Sequence, residues 1–305
     1  MGEYDIVVIG GGPAGLTAGL YVSRSGVRSL LLERGAFGGQ MINARIVENY
    51  PGFPDGIAGI ELGSLMQEQA SKHGLQTLFA EVSLLVPGPR HRIVTTEGTV
   101  EARAIVVAAG SHYRQLDVPG EKQFVGKGVS YCAACDGFFF RDREVAVVGG
   151  GDTAVSDALE LSHYAQRVYL IHRRDQLRAG QVLVQRASDE PKIEFIWNSV
   201  VEEVTGDQMM NALKVRNVRT DKVHTLKVAG VFVAVGIVPN SQPFADVLKI
   251  DDGGSIVADQ GLATSVPGIF AAGDIRQNSP RQIASAVGDG VTAALSAMRY
   301  IQTQI

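Results

Sequence analysis

Apolar positions along the chain gather in short unbroken blocks, and the most regular blocks end in glycines. Residues 4–9 (YDIVVI) form a strand-length run that stops at Gly10-Gly11-Gly12-Pro13-Ala14-Gly15. The spacing beyond it predicts a helix over 16–25, then a second strand over 29–32 that closes on Glu33. The same succession returns halfway along. Residues 144–148 (EVAVV) are a strand, Gly149-Gly150-Gly151-Asp152-Thr153-Ala154 a turn, and 155–166 a helix with Val155, Ala158 and Leu159 on one face. Residues 167–171 (RVYLI) are the next strand. A third region, 266–274, reads as a short strand ending in Gly273-Asp274. A long helix follows it, with Ile283, Ala286, Val287, Gly290, Val291, Ala294, Leu295 and Met298 on one apolar face. Two further glycine-ended strands, 104–110 and 230–236, resemble each other.

Strand, G-x-G-x-x-G, helix, strand and acidic residue together make the full dinucleotide-binding pattern. Gly10 permits the turn, Gly12 lets the backbone approach a pyrophosphate, and Gly15 lets helix pack on strand. The helix N-terminus offers free N–H groups to that anion, and Glu33 is placed for ribose hydroxyls. In the second repeat the acidic residue is absent, and the chain reads His172-Arg173-Arg174-Asp175 with Arg178 beyond. Guanidinium groups there suit a 2′-phosphate, which a carboxylate repels. The expected fold is α/β, with two Rossmann-like, doubly wound, three-layer nucleotide-binding domains, one inserted in the other. The outer one covers residues 1–115 and 243–305, and the inserted one 116–242. Turns at Val118-Pro119-Gly120 and Val238-Pro239-Asn240 are the expected connectors.

Composition narrows the class. Glycine, at 36 of 305 residues, is well above the usual ~7% and lies in clusters without a triplet period, which excludes collagen. Twenty-eight basic against 32 acidic residues give a net charge of −4, which argues against nucleic acid as a partner. No apolar run approaches the ~18 residues of a membrane span, so no membrane association is expected. The opening MGEYD is acidic where a signal peptide is basic, and position 6 is Ile where myristoylation needs Ser or Thr. A cytoplasmic protein is expected. The two cysteines form one C-x-x-C, Cys132-Ala133-Ala134-Cys135, followed by Asp136. A zinc site needs two more ligands, and no H-x3–5-H pair exists to supply them, so no metal is expected. Two inert buried thiols would also fit the spacing. A redox disulfide fits it better, because Asp136 beside Cys135 can manage the proton that thiol chemistry requires.

The whole chain resembles the low-molecular-weight thioredoxin reductases, flavoproteins of the pyridine nucleotide-disulfide oxidoreductase class. The matching stretches are residues 10–15, Gly38-Gly39-Gln40, Glu48-Asn49-Tyr50-Pro51-Gly52, residues 132–139, residues 149–155, residues 172–175, and Gly273-Asp274 with Arg281-Gln282. The resemblance implies an NADPH-dependent disulfide reductase that moves electrons through FAD and a Cys132–Cys135 disulfide to thioredoxin or a thioredoxin-like protein. It puts FAD on Gly10, Gly12, Pro13, Ala14, Gly15, Glu33, Gly39, Gln40, Asn49, Gly273, Asp274, Arg281, Gln282 and Ile283. It puts NADPH on Gly151, Asp152, Thr153, Ala154, His172, Arg173, Arg174 and Arg178, and the chemistry on Cys132, Cys135 and Asp136. Cys135 is the sulfur expected at the flavin and the one expected to attack the partner. A homodimer and a large rotation between the domains are also implied.

Four positions depart from the family pattern: Ala134 for threonine, Asp152 for asparagine, Pro280 for an aromatic and Lys127 for arginine. Asp152 adds a negative charge beside a pyrophosphate. Phe138 and Phe139 suit either a partner-facing surface or ordinary core. A reductase of a peroxiredoxin system, a dithiol oxidase and a non-catalytic FAD-binding redox sensor are the rival readings. The sensor gives no reason for Arg173-Arg174.

Overall fold

The computed structural model describes residues 2–44 and 46–304. The chain begins with β1 (Glu3–Ile9), α1 (Pro13–Arg24), β2 (Ser29–Glu33), α2 (Gly59–Lys72) and β3 (Gln76–Phe79). A meander follows, β4 (Val82–Val86), β5 (His91–Thr95) and β6 (Gly98–Val107), then a short β7 (Ser111–Tyr113). Next come β8 (Val129–Ser130), α3 (Ala133–Asp136), β9 (Glu144–Gly149), α4 (Asp152–Ser162), β10 (Arg167–Ile171), α5 (Gln181–Asp189) and β11 (Ile193–Ile196). A second meander, β12 (Ser199–Gly206), β13 (Met210–Asn217) and β14 (Val223–Lys227), leads to β15 (Gly230–Ala234) and β16 (Ile237–Pro239). The chain ends with β17 (Ile269–Ala271) and α6 (Ile283–Thr303).

The chain divides into two compact units, one of residues 1–112 and 238–305, the other of 113–237. In the first unit β3, β2, β1, β6 and β17 run parallel, with β5 added antiparallel to β6 and β4 antiparallel to β5. In the second, β11-β10-β9-β15-β8 is wholly parallel and β12-β13-β14 forms a separate antiparallel sheet. Both parallel sheets are buried on both faces. Ile6 and Val8 of β1 pack with α1 and α6 residues, whereas Val7 and Ile9 pack with Leu85, Ile93 and Val100 of the meander. That double burial is why the strands read as continuous apolar runs instead of alternating ones.

The crossings between units fall at 112/113 and 237/238, and the crossing strands β7 and β16 pair with each other. The expected first connector, Val118-Pro119-Gly120, is instead interior to the second unit. There the Pro119 carbonyl accepts the Val204 N–H at 2.9 Å, and a Cβ on Gly120 would strike the Val204 carbonyl.

The last helix also differs from its reading. Its buried stripe is Ala286, Gly290, Ala293, Ala294, Ala297 and Ile301, while Leu295 is 39% exposed. The cause is the closeness of α1: a Cβ on Gly290 would collide with the Ala14 carbonyl. Only small residues fit such a crossing, so the helix turns its alanines inward, leaving Val287 and Val291 half-buried and Leu295 exposed.

Candidate active site

The first nucleotide turn leaves β1 at Gly10, whose φ of +106° and absent Cβ let it lie against the Ala108 carbonyl. Gly12 stands at the N-cap of α1 with no side-chain cap, and Pro13 opens the helix, so the next N–H groups point outward unpaired by side chains. No acidic residue lies in that first turn. Across from Gly12 lies Gly39, close enough that a Cβ on Gly39 would come within 3.1 Å of the Gly12 Cα. The two bare backbones and uncapped helix make a donor set that fits a pyrophosphate. Glu33 borders it: its Oε2 accepts the Gly11 N–H at 2.6 Å and its Oε1 the Gly35 N–H at 2.7 Å. Gln40 is fixed by donating to the Ser111 carbonyl at 3.1 Å.

The C-terminal part completes this cradle. Gly273 has φ +75° and approaches Ala14, while Asn49 donates to the Gln282 side chain at 3.3 Å. Gln282 caps α6 in a reciprocal box with Ser285, leaving Ile283 as the first helical residue. Arg281 holds a left-handed φ of +58° and donates its N–H to Ser279 Oγ. Asp274 accepts the Ser279 hydroxyl at 3.3 Å, and burial holds its carboxyl above the ordinary range, with that hydrogen bond opposing. A fork that the sequence did not reveal pins this turn. Asp289 accepts Arg276 Nε at 2.6 Å, Arg276 Nη2 at 2.9 Å and the Gly273 N–H at 2.9 Å.

The second nucleotide turn, in the second unit, repeats the construction with different chemistry. Gly151 caps α4 without a side chain and faces open space. The His172 ring packs against Gly150, where any Cβ would overlap it. It is 6% exposed with no partner for Nε2. Burial lowers its pKa, hydrogen bonds to the Gly149 and Gln176 backbone raise it, and Arg178 and Arg174 lower it again. Arg173, Arg174 and Arg178 are exposed, and none has an ion-pair partner among the described residues. Asp175, by contrast, is engaged by Arg219. The Arg178 N–H donates to the Gly150 carbonyl at 2.6 Å, which places this arginine at the turn itself. The Asp152 carboxylate, in the first turn of α4, accepts the Gly180 N–H at 2.8 Å. Its charge is thereby spent on a local loop.

Cys132 and Cys135 form a disulfide across the first turn of α3, with their Cα atoms 5.3 Å apart. Cys132 is the N-cap and half-buried, whereas Cys135 is exposed. Asp136 accepts the Ser130 hydroxyl at 2.6 Å, and the same hydroxyl accepts the Cys132 N–H at 3.1 Å. Burial raises the Asp136 pKa and the Ser130 hydrogen bond lowers it. A second unforeseen hub lies beside Cys132. The carboxylate of Glu121, 1% exposed, accepts Tyr131 OH at 2.9 Å, the Leu116 N–H at 2.9 Å and the Asp117 N–H at 2.8 Å. Tyr131 therefore keeps its proton, its pKa pushed up by burial and by Glu121. Phe138 and Phe139 are surface residues, 54% and 42% exposed. Phe138 stands edge-on to Tyr164 and under the Arg141 guanidinium.

Comparisons agree with this arrangement over nearly the whole chain. Residues 4–290 match the model of the pyridine nucleotide-disulphide oxidoreductase family. A thioredoxin reductase of Listeria monocytogenes is 46% identical over 301 residues, covering 98% of this chain and 94% of the relative. A bifunctional thioredoxin reductase/thioredoxin of Mycobacterium leprae is 44% identical over 301 residues, covering 98% of this chain and 66% of the relative. The crystal structure of thioredoxin reductase from Streptococcus pyogenes matches at 43% identity with a TM-score of 0.95, covering 99% of each chain. With two Rossmann-like units and a C-x-x-C disulfide, the chain belongs to the pyridine nucleotide-disulphide oxidoreductases, among the low-molecular-weight thioredoxin reductases.

Proposed function

We propose that the chain reduces thioredoxin with electrons from NADPH, using the residues above in the roles their surroundings suit. The carrying observation is the pairing, inside one unit, of the Cys132–Cys135 disulfide with a nucleotide turn flanked by unpaired arginines. The first unit would hold FAD on Gly12–Ala14, Glu33, Gln40, Asn49, Asp274 and the start of α6 at Gln282–Ile283. FAD supplies the two-electron relay between a nicotinamide hydride and a disulfide. The second unit would hold the NADPH pyrophosphate on Gly151, Thr153 and Ala154, and its 2′-phosphate on Arg173, Arg174 and Arg178.

The cysteines then carry the electrons to the partner. In the dithiol form Cys135 gives its proton to Asp136 and attacks one sulfur of the partner disulfide. An enzyme–partner mixed disulfide forms and a partner thiolate leaves. Asp136 returns the proton to that leaving sulfur, so the step is balanced. Cys132 next gives up its proton and attacks the Cys135 sulfur; the partner sulfur leaves as a thiolate and takes up that proton, which releases the reduced dithiol partner and regenerates Cys132–Cys135. The exposure of Cys135 relative to Cys132 supports this order. Phe138 and Phe139, too exposed to serve as core, are assigned to the partner-facing surface. The acceptor is thioredoxin, the second half of the Mycobacterium leprae relative's name. The working form is taken to be a cytoplasmic homodimer whose units rotate, since both nicotinamide and disulfide belong to one unit and the flavin to the other.

The test is spectroscopic. Without oxygen, NADPH should bleach the flavin band of the purified protein, and oxidised thioredoxin should restore it with one disulfide reduced per NADPH. Bleaching that small dithiol or disulfide compounds reverse, and thioredoxin does not, would overturn thioredoxin as the acceptor.

A further inference from the structure

The hydroxyl of Ser130 touches both chemical parts of the redox segment. We propose that Ser130 is a positioning residue that couples the Asp136 carboxylate to the backbone of Cys132, and so sets when Asp136 can take the Cys135 proton. The inference rests on the acid–base role given to Asp136 above.

The geometry is specific. Ser130 is the last residue of β8, buried, and in register with Phe232 of the parallel strand β15. Its hydroxyl is therefore mounted on the sheet, while the cysteines sit on a single helical turn. It donates to Asp136 Oδ2 at 2.6 Å and accepts the Cys132 N–H at 3.1 Å. A second acceptor, the Cys132 carbonyl, lies at 3.4 Å. These contacts suit both states of Asp136. When Asp136 is ionised, the Ser130 hydrogen lies on its Oδ2. When Asp136 has taken the Cys135 proton, its O–H can donate to Ser130 Oγ, and the Ser130 hydrogen turns to the Cys132 carbonyl. The proton that Asp136 later gives to the leaving sulfur restores the first arrangement, with no net gain or loss.

Little else acts on this carboxylate. On α4, which packs against α3, Asp157 faces Glu160, and Glu160 accepts the Tyr164 hydroxyl. Arg141, beyond the 3₁₀ turn Gly137–Phe140, covers the Phe138 ring. Burial raises the Asp136 pKa, and the Ser130 hydrogen bond opposes it. Cys132 and Cys135, joined in the disulfide, do not titrate in the oxidised protein. Without the hydroxyl, a buried carboxylate loses its donor and favours its protonated form.

The experiment follows Asp136 ionisation in the oxidised holoenzyme by its carboxyl infrared band, assigned by difference from Asp136→Asn. Ser130→Ala should move the titration midpoint up by about one pH unit, the scale of a hydrogen bond to a charged group. Ser130→Thr, which keeps the hydroxyl, should stay near the parent value. The pH profile of thioredoxin reduction should move in the alkaline direction with the band. If Ser130→Ala does not fold, Ser130→Cys, a weaker donor of similar size, should give a smaller shift of the same sign. An unmoved midpoint in the folded variant overturns the proposal. Undiminished thioredoxin reduction by Asp136→Asn overturns the acid–base role instead, while the infrared midpoint still decides the coupling.

Discussion

Glu33 and Gly11, twenty-two positions apart, meet through a 2.6 Å hydrogen bond from the Gly11 N–H to the Glu33 carboxylate. The acidic residue that closes β2 therefore also braces the glycine turn that leaves β1. Its second oxygen holds the Gly35 N–H. Removing it deprives two amides of a charged acceptor, each such bond being worth roughly 1.5–3 kcal/mol. Glu33→Ala is expected to weaken FAD retention on the order of tenfold to a hundredfold, with Glu33→Gln between. Flavin fluorescence released on dilution measures it. An unchanged dissociation constant would mean that the turn holds its shape unaided.

Selectivity for NADPH is assigned to Arg173 and Arg174, which lack ion-pair partners among the described residues. Their joint replacement by Ala should leave folding intact and lower kcat/KM for NADPH by roughly 2–4 kcal/mol of transition-state stabilisation. NADH turnover should change little. Trp197, the sole tryptophan, offers an independent reading. It stacks on Phe195 at 4.9 Å and precedes Asn198, whose N–H donates to the Arg174 carbonyl at 3.1 Å. Binding of 2′,5′-ADP should perturb its emission in the parent and not in the double variant. Equal losses with both nicotinamides would show the arginines to be structural.

Cys135 is exposed and Cys132 half-buried, and the attack on the partner is assigned to Cys135 on that ground. With a thioredoxin lacking its resolving cysteine, reduced Cys132→Ser enzyme should accumulate a stable mixed disulfide. Cys135→Ser should trap little. Reversed yields would make Cys132 the attacking thiol and leave Asp136 beside the wrong sulfur.

Asp157 makes a pH-dependent contribution to stability. Burial, and then Glu160, raise its pKa from 3.8 to about 6. Between those values the folded state holds a proton that the unfolded chain has released. The contribution is thus fully present below about pH 4 and lost as pH rises through 6. At pH 8 the buried charge costs on the order of 2–3 kcal/mol. Asp157→Asn should therefore raise the urea midpoint at pH 8 and leave it nearly unchanged at pH 4. A gain of equal size at both would assign the effect to something other than ionisation.

Most of the framework was legible where the signal is local. The first turn, the second turn and the 167–171 strand combine glycine spacing with apolar runs only a few residues long, and both units fold as those patterns predict. The arginines after β10 were legible because the missing acid is itself a local fact. The α6 face was misread because periodicity favours Val and Leu, whereas contact with α1 at Ala14 admits only Ala and Gly. The Asp289–Arg276 fork, the Glu121 hub and the Ser130 bridge left no trace, since polar partners at separations scattered from 2 to 16 residues follow no period. Asp152 looked like a liability in the sequence, and only the Gly180 N–H shows where its charge is spent.

The contact between Ala14 and Gly290 also fixes an order of events at the ribosome. The first unit cannot seat α1, or add β17 to β6, until nearly the whole chain has emerged. The second unit is contiguous and all of its strands are available once residue 237 is out. The inserted unit can thus mature during synthesis, while its host waits with an apolar sheet face uncovered. Nascent chains stalled near residue 280, with residue 237 out of the tunnel and α6 not yet made, should therefore carry a protease-resistant second unit and a first unit that depends on chaperones.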